Sequence, residues 1–232
     1  MALYTTGFPA DLVITVRRDS TSDRVTQDRL RGSINGGNSL YLNTPSAQTT
    51  AATYTNFAYS TGVDLNSSIS GYYISYVFRR APGFFDVVCY TGNGGSTNIV
   101  NHNLTVAPEL TIVKNRSSGG GGDAWGVRYL SSTITVFNGW TSGLNLNTAA
   151  SGTGLANGVG WSINSTSFDA SGGGYGYPNL SGQNYVAYLF ATCPGVSKVG
   201  NYTGTGTTKQ IDCGFTGGAR FVLIKRTDST VS

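Results

Sequence analysis

The sequence predicts an all-β fold made of tandem antiparallel β-sandwich repeats, and three observations lead to that prediction. Only 11% of the 232 residues are charged and 33 are glycine, a composition that suits short strands joined by tight turns. No stretch carries the i, i+3, i+4, i+7 apolar pattern of an amphipathic helix. One segment of alternating aromatic and small residues occurs twice, which indicates a repeat architecture.

The repeated segment covers residues 73–94 and residues 185–206, which are 112 positions apart (185 minus 73). Each copy predicts a strand, a Pro-Gly break, a second strand and a glycine-rich turn. Proline has no backbone donor and would interrupt a sheet, so each Pro-Gly should end one strand and begin the crossing to the next unit. The predicted domain junctions are therefore Pro82, Gly83, Pro194 and Gly195. The shared residues are Tyr73, Tyr76, Phe78, Pro82, Gly83, Tyr90, Thr91, Gly92 and Gly94, with Tyr185, Tyr188, Phe190, Pro194, Gly195, Tyr202, Thr203, Gly204 and Gly206.

Two further patterns indicate where strands should be buried. In residues 185–191 both alternating faces are apolar, which is typical of a strand in the middle of a sandwich. A second phrase, an apolar run followed at once by Arg or Lys, occurs in residues 7–18, 107–116 and 214–226. It predicts a buried strand whose basic end reaches solvent at a turn.

The spacing of these phrases divides the chain into three parts. Residues 1–83 form a first unit that lacks its opening strands, residues 84–195 a complete second unit, and residues 196–232 the opening strands of a further unit. Because an incomplete sandwich leaves an open sheet edge, the last part is predicted to complete the first unit, in its own chain or in a neighbouring chain. The alternative is that the chain is a segment of a longer array.

The residues that catalysis or metal binding would need do not form a recognisable set. His102 is the only histidine, no GxSxG motif is present, and the acidic residues are isolated along the chain. No DxDxDG calcium loop occurs, and the glycine runs lack the Lys-Ser/Thr of a phosphate-binding loop. We therefore predict no catalytic residue, no cofactor and no metal site, and no enzymatic activity. The isolated carboxylates considered were Asp64, Asp86, Glu109, Asp123 and Asp169.

Charge and hydropathy exclude two classes of partner. Residues 17–31 are the densest basic stretch, but five arginines are opposed by three aspartates, a net charge of +2 (5 minus 3), which predicts a solvated strand edge and not a nucleic-acid surface. No run approaches the ~20 apolar residues of a membrane span, and no Sec-type signal opens the chain. Three cysteines, Cys89, Cys193 and Cys213, are predicted to be buried free thiols, with a Cys193–Cys213 disulfide as the alternative.

Aromatic residues cluster in the passages that only the second unit contains. They could stack on sugars, as in carbohydrate-binding sandwiches, or fill enlarged loops and a subunit interface. The second interpretation is preferred because Trp and Tyr commonly anchor interfaces. These residues are Trp125, Trp140, Trp161, Tyr175 and Tyr177.

In fixed order, the phrases FPADLVITVRR, SLYLNT, SGYYISYVF, APGFFDVVCYTGNG, APELTIVKNR and GARFVLIKR resemble the tandem β-sandwich repeats of tailed-phage structural proteins, especially those of marine and cyanobacterial phages. The resemblance implies a jelly-roll or concanavalin-like sandwich in a tail fibre, tail appendage or exterior decoration of the virion. It also implies that copies of the chain form a homo-oligomer and that this oligomer contacts other virion proteins. The resemblance carries no catalytic residues. Two alternatives stay open: a lectin-like module for host surface glycans, and a strand-exchanged extracellular bacterial filament subunit.

Overall fold

A computed structural model describes residues 2–32, 38–50, 55–65, 71–117, 125–130, 135–136, 146, 163–170 and 178–226. Over these residues the chain is all-β with antiparallel pairing, as predicted, and one 3₁₀ turn at Arg29–Arg31. No helix in the described residues is long and apolar enough to cross a membrane. The strands are β1 (Ala2–Thr5), β2 (Leu12–Arg17), β3 (Val25–Asp28), β4 (Leu40–Tyr41), β5 (Thr55–Asn56), β6 (Gly62–Leu65), β7 (Tyr73–Phe78), β8 (Phe85–Thr91), β9 (Ile99–Asn101), β10 (Leu110–Asn115), β11 (Gly126–Leu130), β12 (Thr135–Val136), β13 (Ser167–Asp169) and β14 (Asn184–Phe190).

The strands form two larger and two smaller sheets. The first large sheet has the order β4-β3-β2-β7, and the second large sheet has the order β12-β11-β10-β14-β8. The smaller sheets are β1-β6-β5 and β13-β9. Strand β8 follows β7 directly in the chain but lies in the other large sheet, where it pairs with β14. The chain therefore crosses between the two large sheets at residues 79–84.

Successive side chains of the central strands point to opposite faces of the large sheets, and both sets are buried. In β2, Leu12 packs toward the second large sheet and Val13 packs toward the small sheet β1-β6-β5, where it contacts the cluster of Phe57 and Val63. Strand β14 behaves in the same way, and its residues 185–189 are buried on both faces. This confirms the prediction that residues 185–191 are apolar on both sides because both are covered.

The sequence repeat is matched by the pairing of equivalent strands. Strand β2 pairs with β7 from Leu12↔Phe78 to Arg17↔Tyr73, and β10 pairs with β14 from Leu110↔Phe190 to Asn115↔Tyr185. The flanking bonds repeat as well. The Asp11 amide donates to the Phe78 carbonyl at 2.8 Å, and the Glu109 amide donates to the Phe190 carbonyl at 2.9 Å. The two strand pairs are therefore equivalent in register.

The basic residues at the ends of these strands reach solvent except for Lys114. Arg18, after β2, is exposed as expected. Arg116, its equivalent after β10, is partly exposed. Lys114, which is equivalent to Val16, is fully buried, and its amine donates to the Asn115 carbonyl at 2.7 Å. The prediction was wrong for Lys114 because the burial of β10 continues through Asn115, and solvent is reached only after the strand has ended.

The predicted state of the cysteines is correct in one respect and wrong in the other. Cys89, Cys193 and Cys213 are free thiols, and Cys193 and Cys213 do not form a disulfide. They are not buried, however, since Cys89 is exposed and the other two are partly exposed. Cys213 lies in the segment 198–226, which forms no strand in the structure.

The first unit contains more of its strands than its sequence suggested. Strand β1 pairs antiparallel with β6, as β9 pairs antiparallel with β13 in the second unit. Strand β8 has no counterpart among the described strands of the first unit. The tail, residues 198–226, is largely exposed and forms no strand, so its predicted completion of the first unit stays a prediction.

Candidate functional site

The contact between the two large sheets is the most extensive apolar feature that joins the two units. One cluster includes residues from both sheets and from the crossing strand β8. Its buried members are Leu12, Leu40, Phe85, Val87, Ile112, Trp125, Val186 and Tyr188. Burying such side chains contributes about 1.5–3 kcal/mol each. The two units are therefore held together by a shared hydrophobic core.

Equivalent residues of the two units meet in this core. The strand registers make Leu12 equivalent to Leu110 and Ile14 to Ile112, and all four side chains belong to the cluster. The same holds for Phe78 with Phe190 and for Leu42 with Leu146. When one surface packs against its own equivalent, the contact is isologous, and the partners are related by an approximate two-fold axis. The two units are thus paired face to face.

Three phenylalanine rings mark the place where the chain crosses from one large sheet to the other. The rings of Phe85 and Phe190 have centroids 4.8 Å apart, and Phe78 lies 5.9 Å from Phe85 and 6.1 Å from Phe190. Aromatic pairs at such distances contribute about 0.5–1.5 kcal/mol beyond area burial. The end of β7, the start of β8 and the end of β14 are therefore adjacent.

A buried polar network crosses the same contact. Asp28 and Arg31 form an ion pair of 2.5 Å with fully buried side chains. The Tyr188 hydroxyl donates to Asp28 Oδ2 at 2.7 Å and accepts from Arg31 Nη2 at 3.2 Å. Arg31 also donates to the Thr26 carbonyl at 3.0 Å. The charges of the first unit are thus satisfied in part by a hydroxyl of the second.

Burial and neighbouring charges shift the pKa values of two residues in this network. Burial alone would lower the pKa of Arg31, but the adjacent Asp28 carboxylate raises it above the ordinary value. Burial raises the pKa of Tyr188 well above its ordinary value, so the hydroxyl stays protonated and can donate. Gln48 extends the contact between the units. Its side-chain Oε1 accepts from Arg116 Nε at 2.8 Å, and its backbone amide donates to the Arg116 carbonyl at 3.0 Å.

Sequence reasoning missed this network. Residues 17–31 were expected to form a solvated edge with paired charges, which is correct for Arg17 with Asp19 but wrong for Asp28 with Arg31. The available signal was their i, i+3 spacing, which places the Asp28 carboxylate at the start of the 3₁₀ turn, where it accepts from the Arg31 amide at 2.9 Å. The hydroxyl that completes the network comes from Tyr188, at a distance of 160 residues.

The two predicted junctions adopt the same conformation. Gly83 and Gly195 both have φ of +73°, in the region that favours glycine. The amide of Ala81, just before Pro82, donates to the Phe85 carbonyl at 3.0 Å, and the amide of Cys193, just before Pro194, donates to the Ser197 carbonyl at 3.1 Å. The chain therefore leaves β7 and β14 through equivalent turns.

The strand that follows each turn differs. Strand β8 adds to the edge of β14, whereas residues 198–203 form no strand and are largely exposed. Strand β7, the equivalent of β14, pairs with β2 alone among the described strands. Ile74 in β7 is consequently 40% exposed, while its equivalent Val186 in β14 is 0% exposed.

The aromatic residues predicted for glycan or interface contact divide into two groups. Trp125 is fully buried between the large sheets, where its Nε1 donates to the Tyr41 carbonyl at 2.8 Å and its ring stacks on Tyr188 at 6.1 Å. It is an inter-unit contact and cannot offer a face to a sugar. Trp140, Trp161, Tyr175 and Tyr177 lie outside the described residues.

Four of the titratable side chains considered for catalysis accept a hydrogen bond from a backbone amide. His102 is buried, its Nδ1 accepts from the Leu104 amide at 3.2 Å, and desolvation lowers its pKa. Asp86 accepts from the Asn103 amide at 2.7 Å, and Glu109 accepts from the Thr192 amide at 2.7 Å. Asp169 accepts from the Asn98 amide at 2.9 Å, Asp64 is buried in β6, and Asp123 lies outside the described residues.

Within the described part of the chain, no three His, Cys, Asp or Glu side chains converge as they would to hold a metal ion.

Comparison with known proteins gives one match. No curated protein and no solved structure matches the chain. A family profile described as "Domain of unknown function (DUF7483)" matches residues 75–232, which is more than half of the chain and includes most of β7, the whole second unit and the tail. The chain therefore belongs to the DUF7483 family.

Proposed function

We propose that the chain is a non-enzymatic structural protein of a phage virion, a tail fibre, tail appendage or exterior decoration, that acts by homo-oligomeric assembly. The proposal includes a fold of tandem sandwich units of the jelly-roll or concanavalin-like kind. It also includes contacts with other virion proteins on the particle exterior. The observation that supports assembly most directly is the exposed apolar segment at residues 221–224 of the tail.

This segment repeats two strands that are enclosed elsewhere. Its residues FVLI are equivalent to the starts of β2 and β10, which both lie in the middle of a large sheet. In the tail, Val222, Leu223 and Ile224 are 64%, 46% and 64% exposed. An exposed apolar run of strand-forming residues favours pairing with another chain. Because β2 and β10 fill the equivalent positions in every copy, the partner we propose is the same exposed segment of a second copy.

Mass photometry and light scattering over a range of protein concentrations test the assembly. We expect the wild-type chain to form oligomers and Leu223→Asp to weaken association at least tenfold, because a charge cannot enter a buried strand. Val106→Asp is the matched control, since Val106 is 40% exposed outside the tail, and it should assemble normally. A wild-type chain that stays monomeric at all concentrations would refute assembly.

The virion location needs a separate experiment. Purified particles from the source culture, examined by mass spectrometry and by electron microscopy with an antibody to the second unit, should carry the chain on their exterior. Detection of the chain only in the host cytosol, and in no particle fraction, would contradict a virion role while leaving the assembly measurement intact.

A further inference from the structure

We propose that residues 197–203 of the tail are the missing fifth strand of the first large sheet, and that they dock on the free side of β7 in their own chain. The inference does not depend on the proposed function, because it concerns the closure of a single chain. It rests on the isologous packing of the two units, on the equivalent turns, and on the register that β8 already shows on β14.

The two-fold relation determines where the strand after the second turn should go. The operation that places the first unit on the second carries β7 onto β14 and the turn at Pro82 onto the turn at Pro194. The face that the second unit would present to a third unit is already covered by the first. Repeating the operation therefore returns to the first unit. The strand that follows β14 accordingly belongs on β7, as the strand that follows β7 lies on β14.

The β8·β14 pair supplies the register. Phe85↔Phe190, Val87↔Tyr188 and Cys89↔Val186 are paired positions in that ladder. The repeat replaces each β8 residue by the tail residue 112 positions later and each β14 residue by the β7 residue 112 positions earlier. The predicted pairs are therefore Ser197↔Phe78, Val199↔Tyr76 and Asn201↔Ile74. Val199 would then lie beside Tyr76 on the face toward the second large sheet, where Val87 lies beside Tyr188.

The glycines of the tail support this placement. A Cβ on Gly92 would overlap the carbonyl oxygen of Leu180, so glycine is required where the end of β8 passes that backbone. Its equivalent, Gly204, has nothing within 4 Å in the undocked tail. Gly94 and its equivalent Gly206 both have positive φ, of +69° and +76°. The tail thus has glycine at both positions where the end of the docked strand β8 has glycine.

The start and the later part of the tail are already near β7. Val199 is held by its amide, which donates to Thr192 Oγ1 at 3.1 Å, just after the end of β14. The Phe190 ring at that end lies 6.1 Å from Phe78 in β7. Farther along, the Phe221 ring packs on Tyr76 at 4.9 Å and on Phe78 at 5.4 Å. Because both segments are tethered beside β7, docking within the chain has a high effective concentration.

A pair of engineered cysteines tests the strand and its register. In a chain with Cys89, Cys193 and Cys213 replaced by Ser, Ile74→Cys with Asn201→Cys should form a disulfide within one chain, detected by intact mass and by non-reducing electrophoresis. Its yield should not depend on protein concentration. The off-register pair Ile74→Cys with Thr205→Cys, about 13 Å farther along the strand, should not cross-link.

A matched positive control uses the pairing already present in the second large sheet. Val186→Cys, in a chain that retains Cys89 but has Cys193→Ser and Cys213→Ser, should cross-link because these positions face each other in β8·β14. If this control reacts and the Ile74–Asn201 pair does not, docking is refuted. A covalent dimer from the Ile74–Asn201 pair would overturn docking within the chain and show that a second copy supplies the strand. Equal reaction of the Thr205 pair would refute the register.

Discussion

Strands β7 and β14 have nearly the same sequence pattern and equivalent partners on one side, β2 and β10, yet they differ in burial. Tyr188 of β14 is 2% exposed, whereas its equivalent Tyr76 in β7 is only partly buried. The difference comes from β8, which covers the second side of β14 and has no counterpart on β7. The comparison shows that burial in a sheet depends on the neighbouring strand as much as on a strand's own residues.

The largest expected effect tests the polar half of the contact between the units. Arg31→Met removes the cation from a fully buried pair and leaves the Asp28 carboxylate uncompensated, which should lower the free energy of unfolding by about 3–5 kcal/mol. Arg17→Met removes a solvent-screened pair with Asp19 and should lower the free energy of unfolding far less. Urea denaturation measures both, and equal losses would show that the buried pair is not a major contributor.

The next prediction compares the two equivalent tyrosines directly. Tyr188→Phe removes the hydroxyl that donates to Asp28, and loss of a hydrogen bond to a charged group costs about 1.5–3 kcal/mol. Tyr76→Phe changes a partly exposed ring and should cost less than about 0.5 kcal/mol. The same denaturation experiment separates them. A Tyr76→Phe loss as large as that of Tyr188→Phe would show that the units contribute symmetrically.

A smaller effect distinguishes the end of β8 from the tail. Gly92→Ala forces a methyl group against the Leu180 carbonyl, and overpacking of this kind costs about 1–3 kcal/mol. Gly200→Ala is the control, since nothing lies within 4 Å and the equivalent residue in β8 is Val88. Thermal unfolding should show a lower Tm for the first variant only. An unchanged Tm for Gly92→Ala would mean that this backbone contact is not tight.

The smallest effect concerns His102 in the second unit. Desolvation lowers its pKa in the folded chain, so the unfolded chain, with an ordinary pKa near 6.5, binds the proton more strongly. Stability from this residue is therefore complete above about pH 6.5 and decreases as the pH falls toward the folded pKa. The Tm should fall between pH 7.5 and pH 5.5, and by less in His102→Asn, which keeps an acceptor for Leu104. An equal fall in both proteins would exclude His102 as the cause.

The sequence predicted the elements that repeat and missed the contacts between them. Alternation in residues 185–191 and the Pro-Gly breaks at Pro82 and Pro194 are local signals, so the strands and turns could be recognised. The burial of Lys114, Trp125 and the Asp28–Arg31 pair could not, because each is covered by residues far away in the chain. The part of the site that was missed is the part made by tertiary packing.

The face-to-face pairing of the two large sheets limits how many of these units can be joined in one array. In most repeat proteins one unit offers different surfaces to the units before and after it, so the array can grow without end. Here each unit uses a single surface for its neighbour, and that surface is used up once two units have met. Longer members of the family should therefore contain an even number of these units, arranged as closed pairs connected in sequence. A unit without a partner would expose the whole apolar face of its large sheet.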